Sequence, residues 1–329
     1  MEQFSDIGRV EALARLFKDT FYINGDETHF TPQEGEHICS VSRLFLEGTD
    51  FDLVYFPLQH LGYKCVVAVA GELYAHLARP RTLNVVLGVS AKLDFAQISQ
   101  LWDGIWRTAS EHGFGMVTLD LIPSRNGLSV SLSATGAGTR WFGQPQSKDL
   151  LCVSGNLGGA YFGQRVLQRG KAAFEKDGRE PDLTQYRMMI ASYLKPELNP
   201  AIVEQLEESG ITPTSGCLVT RGLADAVKRV AARTALGVKV YADKIPFEAG
   251  SFDLGKELDV DPISAACNGG EDYRLLLTVP IAQAERFRHD FQTFDIIGHL
   301  ALKDVGTVLV TPEGVELPLR AHGWPDENQ

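Results

Sequence analysis

Residues 127–136, GLSVSLSATG, alternate strictly: Leu128, Val130, Leu132 and Ala134 fall on one side, Ser129, Ser131, Ser133 and Thr135 on the other. A period of two is the mark of a β-strand, because successive side chains leave opposite faces of a sheet. Such a strand needs an apolar layer on one face and a polar layer or solvent on the other. Whatever this chain folds into must supply that covering layer.

The surrounding sequence offers one. Three more strands are predicted in the first half, at ICSVSRLFL (38–46), CVVAVAG (65–71) and TLNVVLGVS (82–90). Asp94 and Gln97 stand three apart, as a capping pair does, ahead of a helix carrying Phe95, Ile98, Leu101, Trp102, Ile105 and Trp106 and ending at Gly113. An amphipathic helix is expected at the start, on Ile7, Val10, Leu13, Leu16 and Phe17. A polar, turn-rich break, TRWFGQPQSK at 139–148, then divides the chain. Beyond it come a strand at DLLCVSG, a helix at NLGGAYFGQRVLQRGKAAF, a helix over 200–209, a strand–turn–helix at LVTRGLAD (218–225), and strands at RLLLTV and VGTVLVT. The pattern predicts two α/β or α+β domains, residues 1–140 and 141–329.

Composition bounds the function. Net charge is −11 over 329 residues with no basic run, which argues against an extended nucleic-acid surface while leaving room for a small anionic ligand. No apolar stretch reaches the ~20 residues needed to cross a bilayer. The cysteines, 39, 65, 152, 217 and 267, are odd in number and never spaced as CxxC, so reduced core thiols of a cytoplasmic protein are expected.

Chemistry could reside in a few glycine-rich turns: NGDE (24–27), GNLGG (155–159), LVTRGLAD and NGGEDYRLL (268–276). A glycine turn feeding a helix can aim backbone N–H groups at phosphate, and acids at strand tips can hold Mg²⁺. The same features also serve as solvated turns and packing devices. Arg221 is out of place in this scheme, a base at a strand tip where a metal ligand is expected.

The order of these motifs, with EGTDF, FPLQHLGYK and ARP between the first two and LLCVSGNLGGAY, NGGEDYRLLLTV and HGW (322–324) after them, resembles the thiamine-monophosphate kinase family of the aminoimidazole-ribonucleotide synthetase-like superfamily. The resemblance implies an N-terminal α/β domain that dimerises through its sheet and a C-terminal α+β domain. It implies ATP- and Mg²⁺-dependent phosphorylation of thiamine monophosphate to the diphosphate, a small phosphorylated ligand, and no nucleic-acid or membrane partner. The hydrogenase-maturation branch would need a C-terminal cysteine, and this chain ends PDENQ; the selenophosphate branch would need a reactive Cys or selenocysteine in a glycine-rich N-terminal segment.

Carried over residue by residue, the resemblance implies metal ligands at Asp26, Glu27, Glu72 and Asp120, with Glu72 on a strand. It implies nucleotide contacts at Asp120, Gly155 and Gly158, and a substrate side at Asp50, Glu271, Asp272 and Trp324. Several positions depart from the family pattern. Arg43 and Arg221 stand where it has aspartates, Asp50 where it has histidine, Phe142 where it has arginine, Asn156 where it has aspartate, and Thr118 and Leu119 where it has glycines. At ~4 Å and an effective dielectric of ~20, one unit pair of charges is worth about 4 kcal/mol, so two misplaced cations would oppose Mg²⁺ strongly. Three roles stay open for the arginines: freezing the old site as ion pairs, touching phosphate directly, or pointing into solvent. The expectation is a family member of reduced or lost activity, or a silent nucleotide-binding or partner protein, as a homodimer or beside an active paralogue.

Overall fold

The computed structural model describes residues 2–178 and 180–321, which divide into two compact units, Met1–Arg140 and Trp141–Gln329. The first unit begins with α1 (Phe4–Ile7) and α2 (Arg9–Phe17), then runs β1 (His37–Leu46), α3 (Leu58–Ala75), β2 (Arg79–Ser90), α4 (Phe95–Glu111), β3 (Met116–Ser124) and β4 (Ser129–Gly138). The strands form one sheet in the order β1-β4-β2-β3, antiparallel except for β2 with β3.

The alternating stretch is β4, between β1 and β2 in that sheet. Its Val130, Leu132 and Ala134 are buried, while Ser133 bonds Ser42 across to β1 at 2.9 Å and Thr135 reaches Ser40 at 3.3 Å. The Asp94–Gln97 capping pair forms as expected at the start of α4. Trp102 of α4 donates its indole N–H to the Leu16 carbonyl, anchoring the amphipathic N-terminal helix.

CVVAVAG is not a strand; it lies inside α3. Every residue from Lys64 to Ala75 is buried, so the helix is covered all round and its apolar residues show no period of 3.6. Glycines let it pack closely on α4: a Cβ on Gly62 would meet the Leu101 carbonyl oxygen at 2.3 Å, and one on Gly104 the Gln59 oxygen at 2.1 Å. Glu72 is therefore a helical residue, not a strand residue.

The second unit contains β5 (Leu150–Ser154), α5 (Gly159–Asp177), α6 (Arg187–Leu194), α7 (Ile202–Glu208), β6 (Ser215–Val219), α8 (Leu223–Thr234), β7 (Gly237–Tyr241), α9 (Ser251–Leu258), α10 (Pro262–Asn268), β8 (Arg274–Val279), α11 (Ala284–Asp290), β9 (Phe294–Ala301), β10 (Thr307–Val310) and β11 (Glu316–Pro318). Its mixed sheet has the order β11-β10-β7-β9-β5-β8-β6. One apolar cluster fills the space between the sheet and α8 and α10, from Leu151 and Val153 through Cys217, Val227 and Val230 to Leu276 and Ile297. The five cysteines are free thiols, four of them buried. Among the described residues no helix is long and apolar enough to cross a membrane.

Candidate functional site

In the first unit the sheet register decides which acids can meet. Arg43 lies opposite Leu132, which pairs with Val85, which pairs with Leu119; the neighbouring row runs Leu44, Ser131, Val86, Asp120. Adjacent rows point to opposite faces. The first row faces α3, where Arg43 bonds the buried Glu72 carboxylate at 2.5 Å. The second row lies on the other face, where Asp120 pairs with Arg9 of α2 at 2.5 Å. Glu72 and Asp120 are thus held on opposite sides of the sheet, each by an arginine. Asp26 and Glu27 are exposed, in a segment outside the helices and strands.

Among the described residues no group of three or more His, Cys, Asp or Glu side chains is placed to hold a metal ion. The four carboxylates assigned to Mg²⁺ by resemblance therefore do not form one centre. Octahedral Mg²⁺ needs close, converging oxygens, and these do not converge. Of the other first-unit positions, Asp50 accepts the Leu46 N–H in the turn after β1, Thr118 donates to Asn84, and Leu119 is core.

In the second unit the glycine-rich turn and NGGEDY form one structure. Asp272 is buried and accepts N–H groups from Gly158 (3.0 Å) and Ala160 (3.3 Å) at the start of α5. An anion site at a helix N-terminus is thus already filled by an internal carboxylate. The Gly158 N–H that would have faced a phosphate is spent on Asp272. Burial raises the Asp272 pKa to about 7, and the two N–H groups and Arg274 draw it the other way.

The loop also clamps the strand–turn–helix that carries Arg221. Glu271 N–H donates to the Thr220 carbonyl and Tyr273 N–H to that of Val219, both at 2.9 Å. Gly270, Glu271 and Tyr273 all have positive φ (75°, 67° and 50°), and Gly155 and Gly158 as well (91° and 79°). Arg221 is exposed, on the second unit, at the turn before α8. Trp324 lies outside the described residues.

A cavity of about 740 Å³ opens beside the glycine-rich turn at Gly155 and Asn156, at the ends of β5, β8 and β9 and along α6. It is lined by Gly155, Asn156, Ser192, Glu248 and Arg274, among others. Glu248 and Ser192 went unnoticed in the sequence because they lie far from the motifs; Arg274 directly follows NGGEDY and could have been found.

No family model matches the chain. It is 25% identical over 226 residues to a thiamine-monophosphate kinase of Methanopyrus kandleri, covering 67% of each chain. AaThiL complexed with AMPPCP and TMP superposes with a TM-score of 0.74 at 20% identity, over 96% of this chain and 97% of the other. The hydrogenase maturation protein HypE of E. coli superposes with a TM-score of 0.72 at 17% identity, over 96% and 97%. The fold is the two-domain aminoimidazole-ribonucleotide synthetase-like fold shared by these proteins. Within that class its sequence relatives include several thiamine-monophosphate kinases, at 20–25% identity.

Proposed function

We propose that this protein is a thiamine-monophosphate kinase-like protein whose ATP-dependent phosphoryl transfer is reduced or lost. The observation that carries the reading is the pair of ion bridges, Arg43 to Glu72 and Arg9 to Asp120, on opposite faces of the first sheet. Phosphoryl transfer depends on carboxylates that gather Mg²⁺ around the β,γ-phosphates, and here two such carboxylates are bound to arginines instead. The residues present do not fit Mg²⁺ as a set. Nucleotide binding itself is part of the proposal, by relation to a protein studied with an ATP analogue.

The test is a pair of measurements. Titration calorimetry with ATP, with and without Mg²⁺, reads binding; formation of thiamine diphosphate from ATP and thiamine monophosphate reads chemistry. Binding without family-like turnover is expected. Robust diphosphate formation would refute loss of activity.

A second reading, a silent partner protein, is favoured by the open face of the same sheet. Ile38, Leu44, Leu46, Val86 and Ile122 are all exposed there, between serines. Apolar residues grouped on a sheet face favour a covering layer. We propose a homodimer, or a heterodimer with an active paralogue, through this face. Light scattering that finds a monomer at micromolar concentration, alone and mixed with the paralogue, would count against it.

A further inference from the structure

The cavity beside the glycine-rich turn has opposite charges at the two ends of that turn, with Lys195, Glu197 and Asp295 elsewhere in its lining. A Cβ on Gly155 would lie 3.4 Å from the Arg274 guanidinium carbon, so the guanidinium packs against the start of the turn. A Cβ on Gly159 would lie 3.0 Å from Glu248 Cβ and 3.1 Å from Ser192 Oγ, so Glu248 packs against its end. Four Cα steps separate these glycines, at most about 14 Å. Arg274 is fixed in place by bonds from Nε to the Asn156 carbonyl (3.3 Å) and from Nη1 to the Glu197 carbonyl (3.2 Å). Those bonds occupy only part of its donor fork.

Glu248 is held more loosely. Its carboxylate accepts from Asn156 Nδ2 at 3.5 Å, Ser192 Oγ at 3.4 Å and the Ala249 N–H at 3.2 Å, all long for bonds to a charged oxygen. A carboxylate with lone pairs to spare and a guanidinium with donors to spare therefore share one cavity. At about 740 Å³ it lies within the size range of small-molecule sites. This site is separate from the N–H groups of Gly158 and Ala160, which Asp272 consumes.

The geometry points to a ligand that carries a cationic or amino group at one end and an anionic group at the other, bound with its cation on Glu248 and its anion on Arg274. Thiamine monophosphate has both charges, and its choice as the first probe rests on the function proposed above. The assignment of Glu248 and Arg274 to opposite ends of the ligand does not.

Calorimetric titration of the full chain with thiamine monophosphate, thiamine and inorganic phosphate tests this on the unmodified protein, Glu248→Gln, Arg274→Gln and Arg274→Lys. Thiamine monophosphate is expected to bind the unmodified protein and to weaken about tenfold to a hundredfold in Glu248→Gln and Arg274→Gln. Thiamine should respond only to Glu248→Gln and phosphate only to Arg274→Gln, with Arg274→Lys retaining part of the phosphate affinity. Melting curves without ligand check that each variant folds, and the lysine variant keeps the test valid if Arg274→Gln does not. No binding by the unmodified protein, or unchanged affinities in the folded variants, overturns the inference. Charge-dependent binding without phosphoryl transfer upholds it while refuting residual kinase activity. Phosphoryl transfer with affinities indifferent to both residues does the reverse.

Discussion

Replacing Gly270 tests whether NGGEDY is a clamp on the strand–turn–helix around Arg221. Its φ is +75°, and an added Cβ would lie 2.9 Å from the Thr220 carbonyl oxygen and 3.3 Å from Arg221 Cα. Both neighbours are backbone, so neither can swing aside. Two costs add in Gly270→Ala. A left-handed φ costs a non-glycine residue about 1–2 kcal/mol, and an overpacked contact that forces a backbone shift costs about 1–3 kcal/mol. The sum is on the order of 2–5 kcal/mol, with Gly270→Val at or above the upper end because a β-branched side chain tolerates that φ least. For a unit of this size each kcal/mol shifts the melting temperature by roughly 2–4 °C. Gly306→Ala supplies the control, since its φ is +68° and nothing lies within 4 Å of its Cβ position. It should cost only the conformational part, about 1 kcal/mol. Gly222→Ala, whose Cβ would meet the Cys267 oxygen at 2.3 Å, should be the most damaging. Urea unfolding followed by circular dichroism, without ligand, measures all four variants. If Gly270→Ala is no more destabilising than Gly306→Ala, the steric argument fails and the loop is not a clamp.

Three further outcomes are expected. His112 is buried against the Tyr74 hydroxyl (2.9 Å), and burial lowers its pKa from 6.5 to about 4. The unfolded chain then takes up the proton first, so stability should fall by up to about 3 kcal/mol as pH drops from 6.5 to 4; a His112→Gln variant whose acid unfolding keeps the same slope would contradict this. Asp272 behaves in the opposite sense: its raised pKa, about 7, makes its contribution largest at low pH and lost as pH rises toward 7. Stability relative to Asp272→Asn should therefore decline between pH 5 and 7 with a slope approaching about 1.4 kcal/mol per pH unit, and a flat difference in paired denaturation curves would exclude it. Arg43→Ala should destabilise the first unit by about 1–2 kcal/mol, because it removes an ion-pair partner from the buried Glu72 carboxylate, with the arginine's side chain 34% exposed and screened. Glu72→Gln should cost less, and the reverse order in thermal melts would remove the ion pair from the account.

The sequence by itself determined the features that depend on local periodicity and short-range bonding. Strict alternation made β4 a strand, because a period of two permits only one way to bury Val130, Leu132 and Ala134 together. Asp94 and Gln97 close their capping box within a single helical turn and need nothing from elsewhere. The motif order carried the resemblance to thiamine-monophosphate kinases, and through it the fold. Tertiary structure alone decided the rest. CVVAVAG lies in a helix packed on the sheet and on α4 and buried on every side, which erases the periodicity that separates a helix from a strand. Whether Glu72 and Asp120 could share a metal turned on the pairing register across the first sheet, since a one-residue offset sends a side chain to the opposite face. Gly158 reads in sequence as a phosphate-binding turn, yet its N–H goes to Asp272, 114 residues along the chain. Glu248 and Arg274 meet the same cavity only because β8 and the segment before α9 close around the glycine turn. Contacts of that kind are set by packing, which no local pattern encodes.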